Sequence, residues 1–519
     1  MGYEQAQAYL PDIWAMHARH FPEKEALVCG ADRLTWGQLN AGMNRVANAL
    51  LRDGVGKGSK VAVVMGNSAT MVTIMFGIVK AGACLVPLSC LLTPEQMAVM
   101  LDNADAAAVF ADAKGIALVE PGRAGLSKVR GDGFIGLGQA GDGWRDFAAW
   151  LGDAEDQDPD VIYDMADDFN IIYSSGTTGV PKGILQSHRA RHHWSYSNAL
   201  ELRFNQTSRA LATTALYSNG TWFMLLPPML VGATVHVMES FDPGRFLDIV
   251  EQEGITHSFL VPTQFGMVLN RPDLDRRDLS RLQTMLSAGS ALRREMKAEI
   301  LARMGPGLYE LYGASEGLAT MIKPERADKL GSVGTPVLGF DVRIIDDTGQ
   351  ELPWGEVGEI VGYGAGLMTG YYKQPQATAQ SIWRDRRGRP FFKTGDIGRF
   401  DEEGFLYIVD RKKDMIISGG FNIYPADIEA IVARHEAVAD VAVIGVPHEK
   451  WGETPLALVI LTPGANVSGP AIRDWANGQL SKTQRLSDVV LRDTFPRNAL
   501  GKVLKRELRA PFWQESGDV

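Results

Sequence analysis

Hydrophobic positions along the first third of the chain alternate between two periods. Residues 35–54 carry the clearest helical pattern, with Leu39, Met43, Val46 and Leu50 on one face. Thr35 and Gln38 have the spacing of a capping box at its start, and Gly54 is a natural stop. The apolar run 61–65 predicts a buried strand, 70–80 a helix, 84–88 a strand, 92–104 a helix and 109–110 the next strand. Farther on, 232–237 and 255–261 predict strands on either side of a helix over 243–252. Strands alternating with helices predict an α/β fold, a largely parallel sheet with helices on both faces. Towards the C-terminus, Pro425 opens a helix whose apolar face is Ile428, Ile431 and Val432. Strands over 438–446 and 456–461 and a helix over 470–481 complete a compact α/β unit. Residues 120–160 are rich in Gly and Asp and have no period, which reads as a surface excursion.

Composition narrows the classes. The chain has 519 residues, 45% hydrophobic and 22% charged, a globular balance long enough for more than one domain. Net charge is −10 with no basic stripe, which argues against nucleic-acid binding. Cys29, Cys84 and Cys90 have no metal-type spacing, and so sparse a set fits a reducing cytoplasm. No signal-like start and no membrane-spanning apolar run are apparent. The expectation is a soluble cytoplasmic protein; a homodimer is compatible with it.

Chemistry concentrates in Tyr173-Ser-Ser-Gly-Thr-Thr-Gly-Val-Pro-Lys-Gly183, between the apolar runs 169–173 and 184–185. Glycines let backbone N–H groups approach an anion, hydroxyls add donors, and the Lys182 ammonium suits phosphate oxygens. That composition predicts a loop closing on a polyphosphate, against the plainer reading of a solvated turn. It is not the P-loop pattern, because no Gly-Lys-Ser/Thr ends it and no helix directly follows. Just beyond, His188, Arg189, Arg191, His192 and His193 read as a solvated helix start; the i, i+4 histidines could hold a metal but lack an acidic or thiol partner. Residues 211–226 mix apolar, aromatic and small side chains with no charge. A buried substrate ammonium would lack a counter-charge there, and a second carboxylate would lack a base, unless one came from elsewhere in the fold.

The order of residues in 173–183 resembles the signature of the adenylate-forming superfamily: acyl-CoA synthetases, luciferases and nonribosomal-peptide adenylation domains. Further stretches follow in that superfamily's order along essentially the whole chain. They are Leu286-Ser-Ala-Gly-Ser-Ala291, Tyr309-Glu-Leu-Tyr-Gly-Ala-Ser-Glu-Gly317, Gly331–Pro336, Gly358–Tyr371, Thr394-Gly-Asp396, Asp410–Pro425 and Pro496-Arg-Asn-Ala-Leu-Gly-Lys502. The resemblance implies a large N-terminal domain, 1–410, with mostly parallel sheets, flanking helices and a β subdomain. A small mobile α/β domain, 411–519, would swivel at Lys413. ATP would be held by Ser174, Ser175, Gly176, Thr177, Thr178 and Lys182. Gly289, Ser290 and Ala291 would meet the adenine, and Tyr312 and Gly313 would also bind the nucleotide. Ser315 would contact phosphate, Glu316 would hold Mg²⁺, Asp396 the ribose, and Arg411 the nucleotide. Lys502 would catalyse adenylation, and Gly420 would line the path of the coenzyme A thiol. Tyr217, Ser218, Asn219 and Trp222 would line the acyl pocket; Tyr217-Ser218 stands where many members have an aromatic-His pair. The implied activity is an AMP-forming carboxylate–CoA ligase for a small carboxylic acid with an uncharged medium-chain or aryl tail. The alternatives are an adenylating enzyme that loads a carrier protein with an acyl or amino acid, and a nucleotide-binding regulator that kept the fold.

Overall fold

A computed structural model describes residues 7–138, 141–174, 182–418, 421–497 and 503–514, excluding the side chains of Ser174, Asn422 and Gln514. The chain divides into two compact units. One comprises 1–330, 336–341 and 363–382, and the other 331–335, 342–362 and 383–519.

The first unit is built on two sheets. One runs Asp32–Thr35, Glu25–Cys29, Thr234–Val237, Arg209–Ala212, His257–Leu260, Thr284–Ser287, Leu308–Gly313, Ala319–Ile322. Its inner pairings are parallel, and the pairings with Asp32–Thr35 and Ala319–Ile322 are antiparallel. The other runs Gly370–Tyr371, Lys182–Ser187, Asp168–Ser174, Cys84–Pro87, Lys60–Val64, Ala106–Ala111, Phe134–Gly136, Arg145–Asp146. Its central strands are buried from Val61 to Val64 and from Cys84 to Pro87, as the unbroken apolar runs require of a parallel sheet covered on both faces. The α/β reading is borne out.

Local signals act as their chemistry dictates. The Thr35 hydroxyl accepts from Gln38 N, and the Gln38 amide oxygen accepts from Thr35 N, which caps Trp36–Arg52 at both orphan donors. That helix lies close against Ala69–Lys80: a Cβ on Gly77 would sit 2.6 Å from Val46 Cβ and 2.9 Å from Met43 O.

Two readings are corrected. Residues 120–160 are not an excursion, because Phe134–Gly136 and Arg145–Asp146 extend the second sheet. Strands of two or three residues are too short to show a period. Trp144 and Trp150 anchor them: each indole N–H donates at 2.8 Å, to Glu120 and Asp53. The segment from His188 is not a solvated helix start either. In the helix His188–Glu201, His188 and Arg191 are 2% and 1% exposed. Rings replace water around them: Phe169 and Tyr163 beside His188, and Trp194 and Trp222 beside Arg191.

Burial pushes His188, His236 and His257 each down to about 4. Their folded values lie below the unfolded one, so the stability they contribute is complete above about pH 6.5 and is lost as pH falls towards 4. Each such shift is worth roughly 3 kcal/mol at its limit. The unfolding temperature is expected to fall steadily between pH 6.5 and 4, and His257→Gln to flatten that slope; a temperature independent of pH in this window would refute the assignment.

In the second unit, Pro390–Phe400 pairs antiparallel with Leu406–Arg411. A further sheet runs Phe421–Ile423, Ile416–Ser418, Gly452–Leu461, Val438–His448, and Asp488–Leu491 pairs parallel with Gly452–Leu461. Ile428, Val432, Val443, Val459 and Ile472 join its helices and strands in one core. The helix expected over 470–481 is Gly469–Asn477. It stops where the Asn477 side chain turns to bind Leu486 N and O at 2.8 and 3.0 Å.

Candidate active site

Asp168–Ser174 and Lys182–Ser187 form an antiparallel hairpin in which Ser174 faces Lys182 directly. The residues on either side of 175–181 are thus register partners at one rung of the sheet. Ser175, Gly176, Thr177 and Thr178 lie outside the described residues, as do Gly420 and Lys502.

Lys182 Nζ lies over the Tyr371 ring, 5.0 Å from its centre. The Tyr371 hydroxyl donates to Glu316 Oε1 at 2.8 Å. Tyr371 reaches both because Gly370–Tyr371 pairs with the same strand, Tyr371 opposite Ile184. Burial first, and the Glu316 carboxylate second, push the phenol up. It stays protonated and serves as the donor. Lys182 and Glu316, two of the residues singled out from sequence, thus meet through a third that was not.

Glu316 sits in a tight loop joining Leu308–Gly313 to Ala319–Ile322, with Gly313 paired to Ala319. The loop is held by Gly317 N to Ala314 O at 2.9 Å and Ala314 N to Leu318 O at 3.0 Å. Met368 N donates to Glu316 O at 2.7 Å. Gly317 has φ +117°, and a Cβ there would fall 2.1 Å from Gly366 O, so no other residue fits. Gln186, buried on the hairpin strand, donates its amide to Ser315 O at 2.7 Å. Gln186→Leu leaves that carbonyl unsatisfied. It is expected to cost about 1–3 kcal/mol and to lower kcat/KM more than the unfolding temperature alone explains. Thermal melts beside steady-state kinetics check this; an unchanged kcat/KM would show that Gln186 does not position the loop.

The turn 288–291 follows Thr284–Ser287 and has φ +93° at Gly289. Gly289 and Ala291 are exposed, while Leu292 N behind them donates to buried Glu310 at 2.9 Å. Glu310 also pairs with Lys297, which fixes the turn from within. Tyr312 and Gly313 end the next strand. Asp105 anchors the segment after Tyr371: it accepts from the Tyr372 hydroxyl at 2.8 Å and pairs with Lys373 at 2.6 Å. Burial works against its charge, yet Lys128, Lys373 and Tyr372 hold it down at about 2.

Tyr217, Ser218 and Asn219 are half-buried at the start of a short helical turn, and Trp222 is wholly buried. The Trp222 indole N–H donates to Leu216 O at 2.8 Å.

In the second unit, Asp396 and Arg411 are register partners on adjacent strands, with Nε to Oδ1 at 3.2 Å. Asp396 lies within the strand Pro390–Phe400 rather than after a tight turn, though Gly395 does take φ +71°. Thr394 Oγ1 accepts from Asp396 N at 3.0 Å and donates to Ile360 O at 2.8 Å. Lys413 is exposed in a turn where Asp414 N and Met415 N both donate to Arg411 O at 3.0 Å.

Among the described residues one group has metal-type donors, Glu25, His236 and Glu253. Arg33 and Arg209 already bind both carboxylates, at 2.7 to 3.0 Å, so it is an ion network. His188 and His192 are not part of it.

The parallel two-sheet α/β framework and the Lys182–Tyr371–Glu316 chain belong to an enzyme of the adenylate-forming class, as the family match shows. The chain belongs to the AMP-binding enzyme family, whose model matches residues 14–372; the AMP-binding enzyme C-terminal domain matches 427–502. It is 34% identical over 503 residues to a feruloyl-CoA synthase from an Amycolatopsis species, covering 95% of this chain and 97% of that one. An indoleacetate–CoA ligase from Aromatoleum aromaticum is also 34% identical, over 501 residues, 95% of this chain and 96% of its own. The crystal structure of ATP-bound MatB from Rhodopseudomonas palustris superposes with a TM-score of 0.89 at 28% identity, covering 97% of this chain and 99% of that one. No described helix is long and apolar enough to cross a membrane.

Proposed function

We propose that this enzyme is an ATP-dependent carboxylate–CoA ligase for a medium-chain or aryl acid. The observation that carries the reading is the Lys182–Tyr371–Glu316 chain at the foot of the 175–181 connection. It brings a cation and an anion to the base of a donor-rich segment, which suits a polyphosphate and its counter-ion. Relatives named for two aryl-type acyl-CoA products support the acid class.

A carboxylate is a poor acyl donor because its leaving group would be oxide. In the proposed first step its oxygen attacks the α-phosphorus of ATP, the bond to the β-phosphate oxygen breaks, and pyrophosphate leaves. Such a transfer depends on positioning and charge neutralisation. Lys182 and the loop N–H groups would hold the phosphates, Lys502 the reacting carboxylate and α-phosphate, and Asp396 with Arg411 the ribose. The thiol sulfur of coenzyme A then attacks the acyl carbon; AMP leaves and the thiol proton is released.

The donors fit Mg²⁺, which takes oxygen ligands and phosphate bridges. Glu316 would hold it through Oε2, since among the described residues only Oε1 is engaged. When bound, the ion neutralises phosphate charge. The small domain, 411–519, would turn at Lys413 between the steps, withdrawing Lys502 and admitting the thiol past Gly420.

A panel of carboxylic acids with ATP, Mg²⁺ and coenzyme A tests the reading by AMP release. Thioester with stoichiometric AMP is expected for some medium-chain or aryl acid. Pyrophosphate release without coenzyme A consumption would point to a carrier-protein acceptor, and no pyrophosphate with any acid would sink the assignment.

A further inference from the structure

Among the described residues, Arg191 is a buried cation with no acid beside it. It is 1% exposed, and burial is the one influence on its charge. Its guanidinium lies 4.6 Å from the centre of the Trp222 ring and 5.6 Å from that of Trp194. Nε donates to Asn170 Oδ1 at 2.7 Å, and Nη2 donates to Asn219 Oδ1 at 2.8 Å. Burial pulls the group down to about 9, which leaves it protonated at neutral pH.

The donors outnumber the acceptors. Asn170 is 0% exposed; its oxygen is committed to Arg191, and its Nδ2 has no partner among the described residues. Arg191 Nη1 likewise donates to no described residue. Buried donors without acceptors are costly, and a charged one more so. The buried Asn170 Nδ2, beside a guanidinium whose Nη1 is uncommitted among the described residues, is understood if an acceptor arrives from outside the chain. Asn219 is half-buried and belongs to the stretch assigned to the acyl pocket. That stretch, 211–226, has no base of its own. The helix His188–Glu201 brings one to it.

We infer that Arg191 and Asn170 form the polar end of the acyl pocket and select an acid that carries an oxygen acceptor at the end of its tail far from the reacting carboxylate. The inference rests on the ligase reading and on Asn219 lining the pocket. A phenolic oxygen or a second carboxylate supplies the same chemistry. A site built to bond such an oxygen rejects the analogue that lacks it, because its own donors are then left unpaired.

The test compares kcat/KM for cinnamate, para-hydroxycinnamate and para-carboxycinnamate, and for octanoate and suberate, in the wild-type enzyme and in Arg191→Met. In the wild type an oxygen-bearing acid is expected to exceed its parent by about 10-fold or more. In Arg191→Met that ratio is expected to fall to about one or below, with the loss mainly in KM. Preference for the hydroxyl or for the carboxylate tells the two sources apart. Parent acids turned over as well as their oxygenated partners by the wild type would overturn the inference. So would an Arg191→Met variant that lowers kcat/KM for every acid by one factor, which would make Arg191 structural. If Arg191→Met fails to fold, the wild-type ratios alone decide. An enzyme that releases no pyrophosphate with any acid would fail the ligase reading instead, a different result from equal use of parent and oxygenated acids.

Discussion

Lys502→Ala is expected to lower acid-dependent pyrophosphate exchange by about 100- to 1,000-fold, while coenzyme A still attacks supplied acyl-adenylate at near the wild-type rate. In the first step charge develops between the attacking carboxylate and the α-phosphate, where the proposed Lys502 ammonium would stabilise it. In the second it builds on the departing AMP, after the proposed turn of the small domain has withdrawn Lys502. Lys413→Pro is the counterpart. Proline fixes φ and restricts the residue before it, which would stiffen the turn that Arg411 O holds through Asp414 N and Met415 N. Thioester formation is then expected to fall and exchange to persist. Measuring both half-reactions on each variant decides the matter: equal losses in the two would mean that one fixed arrangement serves both steps.

Glu316→Gln is expected to raise the Mg²⁺ concentration needed for half-maximal exchange by about 100-fold and to lower the maximum rate. The amide keeps the shape and one oxygen for the Tyr371 hydroxyl, so the loop around Gly317 is retained. What is lost is the negative charge that a hard cation requires. Tyr371→Phe separates the two contributions. It removes the hydroxyl and keeps the ring under Lys182, so its effect is expected to be smaller, on the order of 10-fold, as for groups that orient a metal ligand. A Mg²⁺ titration of exchange by each variant reads this out. If Glu316→Gln left the Mg²⁺ requirement unmoved, its carboxylate would not hold the ion.

Features carried by neighbours in sequence were legible. The capping pair Thr35 and Gln38 is present as spaced, and the helix Pro243–Gln252 has the bounds its pattern predicted. The short strands 134–136 and 145–146 were not, since pairing rather than period makes them strands. The candidate site divides the same way. Lys182 and Glu316 stand out within local motifs, but Tyr371, which links them, lies 55 residues from Glu316 and farther still from Lys182, and the link exists only once the hairpin is formed. Tyr371 ends the stretch 358–371 that resembled the superfamily, which was the one signal available. Arg191 was misread because a charge in sequence implies water, whereas in the fold two indole faces cover it. Gln186 left no trace beyond its place in a strand.

The single rung shared by Ser174 and Lys182 has an engineering consequence. A connection rooted at one point of a rigid frame is a replaceable cassette. Swapping residues 175–181 for the equivalent piece of a relative is expected to leave calorimetric unfolding within a degree or two of the parent while nucleotide affinity shifts, because neither strand has to slide to accept it.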